Sequence, residues 1–271
     1  EIDEGDTVGQ VADKLEEQGL IEYKMVFKLF CSLTHTSGKA GEEGAKITPG
    51  TYELNTDMDY HALIAGMRSS SGNLSAETVT VTIPEGYTVR QTIALLAEKG
   101  VNTEEALTEA AQTGDFDYDF IDNESEDLSR LEGFLFPDTY EFYKNHNAKN
   151  ALGKLIDAFA DRIDEDAFAS SKAKSMGYSM KDVVIIASLI EKETDGKDRT
   201  NIASVIYNRL NNVGETYHKL EIDAAVIYGL GYANGENYAG PLTQADLDKD
   251  TPYNLRMHEG LPPTPICNPG L

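Results

Sequence analysis

The sequence predicts an α+β fold that becomes helix-rich in its second half, and three observations carry that expectation. A strand–turn–helix pattern occurs twice in the N-terminal part at a fixed spacing of 81 residues. The stretch Ser179 to Thr194 (SMKDVVIIASLIEKET) reads as a helix apolar on nearly all sides, which marks a buried helix because a surface helix keeps a polar stripe. The end of the chain, from Thr251 onward, is too rich in Pro and Gly for regular structure.

The repeat begins with Ile2-Asp3-Glu4-Gly5-Asp6-Thr7-Val8, which returns as Ile83-Pro84-Glu85-Gly86-Tyr87-Thr88-Val89. Gln10, Leu15, Glu17 and Gly19 match Gln91, Leu96, Glu98 and Gly100 in the same register. Each copy reads as a strand, a Gly turn, a Thr helix cap, one amphipathic helix and a closing Gly. A looser third version runs from Pro49 to Leu54 and from Tyr60 to Met67. Between these units, His35 to Lys46 reads as a loop, Ser69-Ser70-Ser71-Gly72 as a linker, and Glu77 to Ile83 as a half-buried strand.

Asp115 to Asp127 is acidic with interspersed aromatics and reads as a surface segment. The dense block Leu131 to Tyr140 (LEGFLFPDTY) fits neither a simple helix nor a simple strand. Helices are expected over Ala148–Arg162, over Ser179–Thr194, and over Arg199–Leu210 with Ile202, Val205 and Ile206 as its apolar stripe. Gly214 to Gly240 shows only short apolar pieces, such as Ala224 to Gly229.

With 271 residues the chain can form one large domain or two to three smaller ones. The net charge of −24 excludes a nucleic-acid footprint and electrostatic docking on anionic lipid. Cys31 and Cys267 are far apart and read either as two buried thiols or as one long-range disulfide. The five histidines have no metal-ligand spacing, so no metal and no cofactor are expected. No apolar run reaches the ~18 residues of a spanning helix, and no signal peptide opens the chain.

Ser/His/Asp arrangements, nucleophile elbows and phosphate loops are not readable. A Glu-centred acid/base site is the chemical expectation, with a sugar as substrate. A carboxylate ending a buried helix sits where desolvation raises its pKa, as a general acid needs. Glu191 and Glu193 both qualify: they are about 200° apart on the helix, both neighbourhoods are apolar, and periodicity does not choose between them. Lys192 falls with Lys181 and Ser188 on a side that reads as solvated.

Five blocks resemble the endolytic murein transglycosylase family, also called MltG or YceG-like. They are residues 131–140 (LEGFLFPDTY), 187–194 (ASLIEKET), 203–210 (ASVIYNRL), 223–229 (DAAVIYG) and 252–270 (PYN…GLPPTPICNPG), in the family's order. The resemblance implies a LysM-like α/β module at 1–72, a second strand–helix module and connector at 73–128, and a helix-rich catalytic domain at 129–271 that continues past Leu271 in relatives. It implies cleavage of the MurNAc–GlcNAc bond of peptidoglycan, with Glu191 as general acid and then base, giving 1,6-anhydro ends. Glu132, Asp138, Tyr140, Asp223, Tyr228, Tyr253 and Asn254 are then the substrate-binding candidates. It further implies a single N-terminal membrane anchor ahead of Glu1, an extracytoplasmic catalytic part, and the cell-wall synthesis machinery as partner. Glu221, Ala224-Ala225, Leu255-Arg256 and Thr264 depart from the family's pattern in presumed groove loops. The rival expectations are a non-catalytic peptidoglycan-binding protein and a water-using muramidase with Asp138 or Asp223 as base.

Overall fold

A computed structural model of the chain describes residues 1–41, 45–50, 52, 54–67, 78–144, 147–163, 168–194, 196–211, 217–234, 238 and 240–270. The expected linker at Ser69–Gly72 lies outside the described residues. The strands are β1 (Thr78–Thr82) and β2 (Thr139–Tyr143). The helices are α1 (Val8–Glu17), α2 (Lys24–Leu33), α3 (Tyr60–Gly66), α4 (Val89–Glu98), α5 (Glu104–Thr113), α6 (Ala148–Ala160), α7 (Lys172–Ser175), α8 (Met180–Glu193), α9 (Arg199–Asn211), α10 (Asp223–Asn234) and α11 (Gln244–Leu247), with a 3₁₀ turn at Leu128–Leu131. The fold is therefore helix-rich α+β with a small two-stranded sheet among the described residues, as its class predicted.

Two compact units divide the chain. Glu1–Val81, Leu96–Leu107 and Tyr140–Ala151 form the first; Thr82–Leu95, Thr108–Thr139 and Leu152–Leu271 form the second. This division is interleaved along the chain. The physical reason is the sheet, whose two strands come from distant segments: Thr78 Oγ1 donates to Glu141 Oε1 at 3.0 Å, and the Thr82 and Thr139 hydroxyls meet at 2.9 Å. Antiparallel pairing of β1 with β2 brings chain from beyond residue 139 back beside the first unit's own strand.

Both copies of the repeat form the capped helix that the residues dictate. Thr7 caps α1 in a reciprocal box with Gln10, and Thr88 with Gln91 repeats those bonds at the start of α4. Each helix ends at a left-handed glycine, Gly19 at φ +69° and Gly100 at φ +76°, followed by a bond from Leu20 N to Leu15 O or from Val101 N to Leu96 O. That closure satisfies a terminal carbonyl, which only a residue without Cβ permits cheaply. The first copy differs in its opening: Ile2 makes an isolated bridge to Gly50 rather than a strand. In the first unit Val11, Ala12 and Leu15 of α1 pack with Phe27 and Cys31 of α2 and Leu63 of α3.

In the second unit α8 is the central helix. Ser179 Oγ accepts from Asp182 N, and Asp182 returns a bond to Ser179 N, a cap that contributes about 1 kcal/mol. Ile185, Ile186 and Leu189 pack with Ile206 of α9, Ala225 of α10, Leu255 and Ile266. The expected helices at 148–162 and 199–210 are present as α6 and α9, but Val205 is 51 % exposed and leaves the predicted apolar stripe. The short apolar pieces around Ala224–Gly229 form a continuous helix, α10. In the presumed surface segment 115–127, Phe116 and Ile121 are buried and the Arg130 guanidinium ties the backbone down through the carbonyls of Gln112, Gly114 and Ser125.

The block 131–140 turns sharply at Gly133, φ +91°, where an added Cβ would come within 2.6 Å of Pro265 and 2.8 Å of Val184. Gly133→Ala should therefore cost about 2–3 kcal/mol through overpacking and left-handed strain, read as a lower denaturant midpoint with an unchanged slope. An unshifted midpoint would mean that the turn relaxes freely.

Candidate functional site

The second copy of the repeat supplies one wall of the site. Its turn, Pro84 to Tyr87, bends at Gly86 with φ +78°, and a Cβ there would touch Lys192 Nζ at 3.6 Å and Glu191 Cγ at 3.7 Å. The last turn of α8 grips this turn twice. Lys192 Nζ donates to Gly86 O at 2.7 Å. Arg199 Nη2, from the start of α9, bridges Glu191 Oε2 at 3.2 Å and Glu85 Oε2 at 3.3 Å. The Glu191 side chain is only 12 % exposed, so this charge pair is partly desolvated.

Glu132 is the buried carboxyl of the site, 3 % exposed. Its Oε1 accepts from Val89 N at 3.0 Å, the first backbone amide of α4, which has no partner within its own helix. Its Oε2 is hydrogen-bonded to the Tyr228 hydroxyl at 3.0 Å. Burial outweighs these bonds and the Lys192 and Arg90 charges, and pushes Glu132 up to about 8 from an ordinary 4.5. Burial and the neighbouring Glu132 likewise push the Tyr228 phenol up. A cavity of about 230 Å³ opens here, lined by Thr88, Gln91, Glu132, Lys192, Tyr228 and Tyr232 among others.

Asn268 holds these parts in register. Fully buried, its Oδ1 accepts from Gly133 N and Leu135 N, both at 2.9 Å, and its Nδ2 donates to Tyr87 O at 2.9 Å. Asn268→Ala would strand two buried amides, while Tyr87 O keeps the bond from the Asn268 backbone N–H, so it should lower stability by about 2–4 kcal/mol in chemical unfolding. A loss below ~0.5 kcal/mol would show that water replaces the side chain.

The sequence-predicted residues fall into separate groups. Glu132, Tyr228 and Tyr253 come together: Tyr253 packs edge-on to Tyr228 with centroids 5.0 Å apart, and its hydroxyl meets Thr264 Oγ1 at 2.8 Å. Asp223 is half exposed at the start of α10 and pairs with Arg256 Nη2 at 2.6 Å. Asn254 is fully buried and internally spent, donating to Leu247 O and Lys249 O and accepting from Arg256 N. Asp138 pairs with Arg162 Nη2 at 2.6 Å, and that guanidinium lies over the Phe136 ring. Tyr140 is buried in the first unit beside Phe142.

Glu193 takes the other side of α8, lining a groove with Asp198, Ile202, Arg209 and Glu221. Desolvation, with the Asp223 charge second, raises its pKa. One expectation about this helix is corrected. Ser188 is fully buried rather than solvated, its hydroxyl donating to Ile185 O and accepting from Ile266 N. The Lys192 ammonium is engaged by Gly86 and lines the cavity. Cys31 and Cys267 are both buried and free, so the long-range disulfide is not formed. Among the described residues no group of three or more His, Cys, Asp or Glu could hold a metal, and no helix is long and apolar enough to cross a membrane.

The model of the YceG-like family matches residues 1–271. This chain belongs to the YceG-like family. It is 28 % identical over 290 residues to an endolytic murein transglycosylase of Streptococcus pneumoniae R6, covering all of this chain and 50 % of that protein. It is 28 % identical over 282 residues to the Bacillus subtilis 168 protein of the same name, covering 72 % of it. The chain thus spans half the length of the pneumococcal relative. A crystal structure of a yceG-like protein from Listeria monocytogenes aligns with a TM-score of 0.55 and 26 % identity, over all of this chain and 85 % of that one.

For this YceG-like chain, sequence reasoning missed Arg199, Glu85 and Asn268. Arg199 reaches Glu85 across 114 positions, and Asn268 reaches Gly133 across 135, distances at which no periodicity speaks. The available signal was the repeat itself. Its turn carries Asp3-Glu4-Gly5 in one copy and Pro84-Glu85-Gly86 in the other, and only the second meets α8.

Proposed function

We propose that the chain is a lytic transglycosylase acting within peptidoglycan glycan strands, at the MurNAc–GlcNAc bond. Glu191 gives its proton to the glycosidic oxygen as the bond from C1 to that oxygen breaks. The MurNAc 6-hydroxyl oxygen then bonds to C1 and returns its proton to the carboxylate, closing a 1,6-anhydro ring without water. One carboxyl group serves twice, so no second nucleophile is required. The observation that carries this reading is the placement of Glu191. It closes a buried helix, is 12 % exposed, and lies beside the Gly86 turn, in a chain whose relatives are named murein transglycosylases.

Asp138, Asp223, Tyr140, Tyr253 and Asn254 stay substrate-binding candidates through the family resemblance; the internal bonds of Asn254 favour a scaffold role for it. The repeated capped strand–helix units support a second role as LysM-like glycan-holding modules. The resemblance also supports action outside the cytoplasmic membrane, next to the synthesis machinery.

The test is digestion of purified peptidoglycan with fragments weighed by mass spectrometry. Anhydro ends are expected. Reducing ends would replace this reading with a hydrolytic muramidase, and sedimentation with peptidoglycan without cleavage would leave only the binding protein.

A further inference from the structure

The hydrogen bond between Glu132 and Tyr228 has two possible directions, and the surroundings decide between them. Oε1 of Glu132 faces the Val89 amide, which can only donate, so Oε1 must accept. When Glu132 is neutral its proton therefore sits on Oε2 and is donated to the Tyr228 oxygen, 3.0 Å away. The phenol then has its own proton left to give, with the Thr264 hydroxyl beside it and a ligand in the cavity of about 230 Å³, which Tyr228 lines, as the two candidate acceptors. When Glu132 is ionised the bond reverses: Tyr228 must donate to Oε2, and it offers the cavity only lone pairs.

We propose that Tyr228 is a saccharide contact whose hydrogen-bond polarity is set by Glu132, so that with Glu132 neutral the phenol donates to the acetamido carbonyl of an N-acetyl sugar. This rests on the glycan-cleaving function proposed above and names the group that the cavity reads. A carbonyl oxygen accepts and never donates, so it matches the phenol in one state and meets only lone pairs in the other. A cavity of about 230 Å³ has room for a sugar ring or its substituent. Its aromatic wall, with Tyr232 stacked on Tyr228 at 5.8 Å and 19°, offers a flat apolar face for a ring or an acetyl methyl.

Glu132 acts through Tyr228 and is a positioning residue. Its burial keeps it neutral at pH 7, being pushed up to about 8, so the switch falls between pH 7 and 9. The charged and titratable groups facing it are Arg90 from α4, Lys192 from α8, Tyr228 from α10, and Tyr253 and Cys267 from the C-terminal segment. Burial raises the phenols and the thiol, which keeps them neutral over this range. Glu132 is therefore the group that changes.

The experiment measures binding of tri-N-acetylchitotriose by calorimetry at pH 6 and pH 9, in a Glu191→Gln background that prevents turnover. Binding should weaken at least tenfold at pH 9. With Glu132→Gln, whose amide nitrogen donates to Tyr228 at every pH while its oxygen accepts from Val89, the affinity should be equal at both values. With Tyr228→Phe it should be weak at both, and the de-N-acetylated trimer should bind at least tenfold more weakly than the acetylated one. A pH fall that survives Glu132→Gln, an affinity unchanged by Tyr228→Phe, or no binding of the trimer at pH 6 would overturn the proposal. The transglycosylase reading is judged separately by the anhydro ends that wild-type protein releases, and it stands or falls whatever the trimer does.

Discussion

Glu191→Gln should reduce glycan cleavage by about a thousandfold while the protein stays folded. A positioned general acid contributes 10²–10⁴ in rate, and here one group would serve as acid and as base, so both halves of the reaction lose it. A thousandfold loss corresponds to about 4 kcal/mol of transition-state stabilisation. Gln keeps an acceptor oxygen for Arg199 Nη2, and the Lys192 bond to Gly86 is independent of residue 191, so the architecture around the turn should persist. The check is release of anhydro-ended fragments under identical loading, with the unfolding midpoint confirming an intact fold. Glu193→Gln is the matched control. Glu193 lines a different groove with α9, and burial raises its carboxyl's pKa. If Glu193→Gln were inert and Glu191→Gln active, the acid would be Glu193 and the catalytic face of α8 would be the opposite one.

The parts of this fold that were legible in the sequence are those fixed by neighbours a few positions apart. Thr7 and Thr88 announce caps because the hydroxyl and the Gln three residues on satisfy each other locally. Gly19 and Gly100 announce helix ends because the left-handed turn needs them. Helix α8 was legible because burial on most sides leaves an unbroken apolar run. Helix α10 was not, since apolar residues and glycines surround it evenly and no single face stands out. The error at Ser188 has the same origin. Periodicity says which residues share a side, but the cover on that side is Ile266, 78 positions away. Glu132 was visible as a residue of a dense block, yet its buried state depends on Val89 and Tyr228, which lie 43 and 96 positions away. Asn254 carried the family's pattern, and the structure turns its amide inward to hold the 247–249 backbone.

Glu132→Gln should change how stability responds to pH more than any other single substitution in the site. In the folded protein Glu132 holds its proton up to about pH 8, whereas an unfolded chain releases it near 4.5. Between these values the native state binds the extra proton, so unfolding free energy falls as pH rises, by up to ~1.4 kcal/mol per unit for this one group. Below about 4.5 the group is neutral in both states and contributes nothing; above about 8 it is ionised in both, and the wild type carries the full cost of a buried carboxylate. Across the window that cost amounts to roughly 4–5 kcal/mol, and the neutral amide escapes it while preserving the bonds to Val89 and Tyr228. Denaturant unfolding at pH 5, 7 and 9 reads the effect. Wild type and variant should be close at pH 5 and diverge steadily toward pH 9, with the variant the more stable. The rest of the −24 net charge titrates alike in both proteins and cancels in the difference. Parallel stability curves would mean that Glu132 is ionised in its cavity at neutral pH, with Tyr228 donating to it, and the switch in that phenol's polarity would then have no group to drive it.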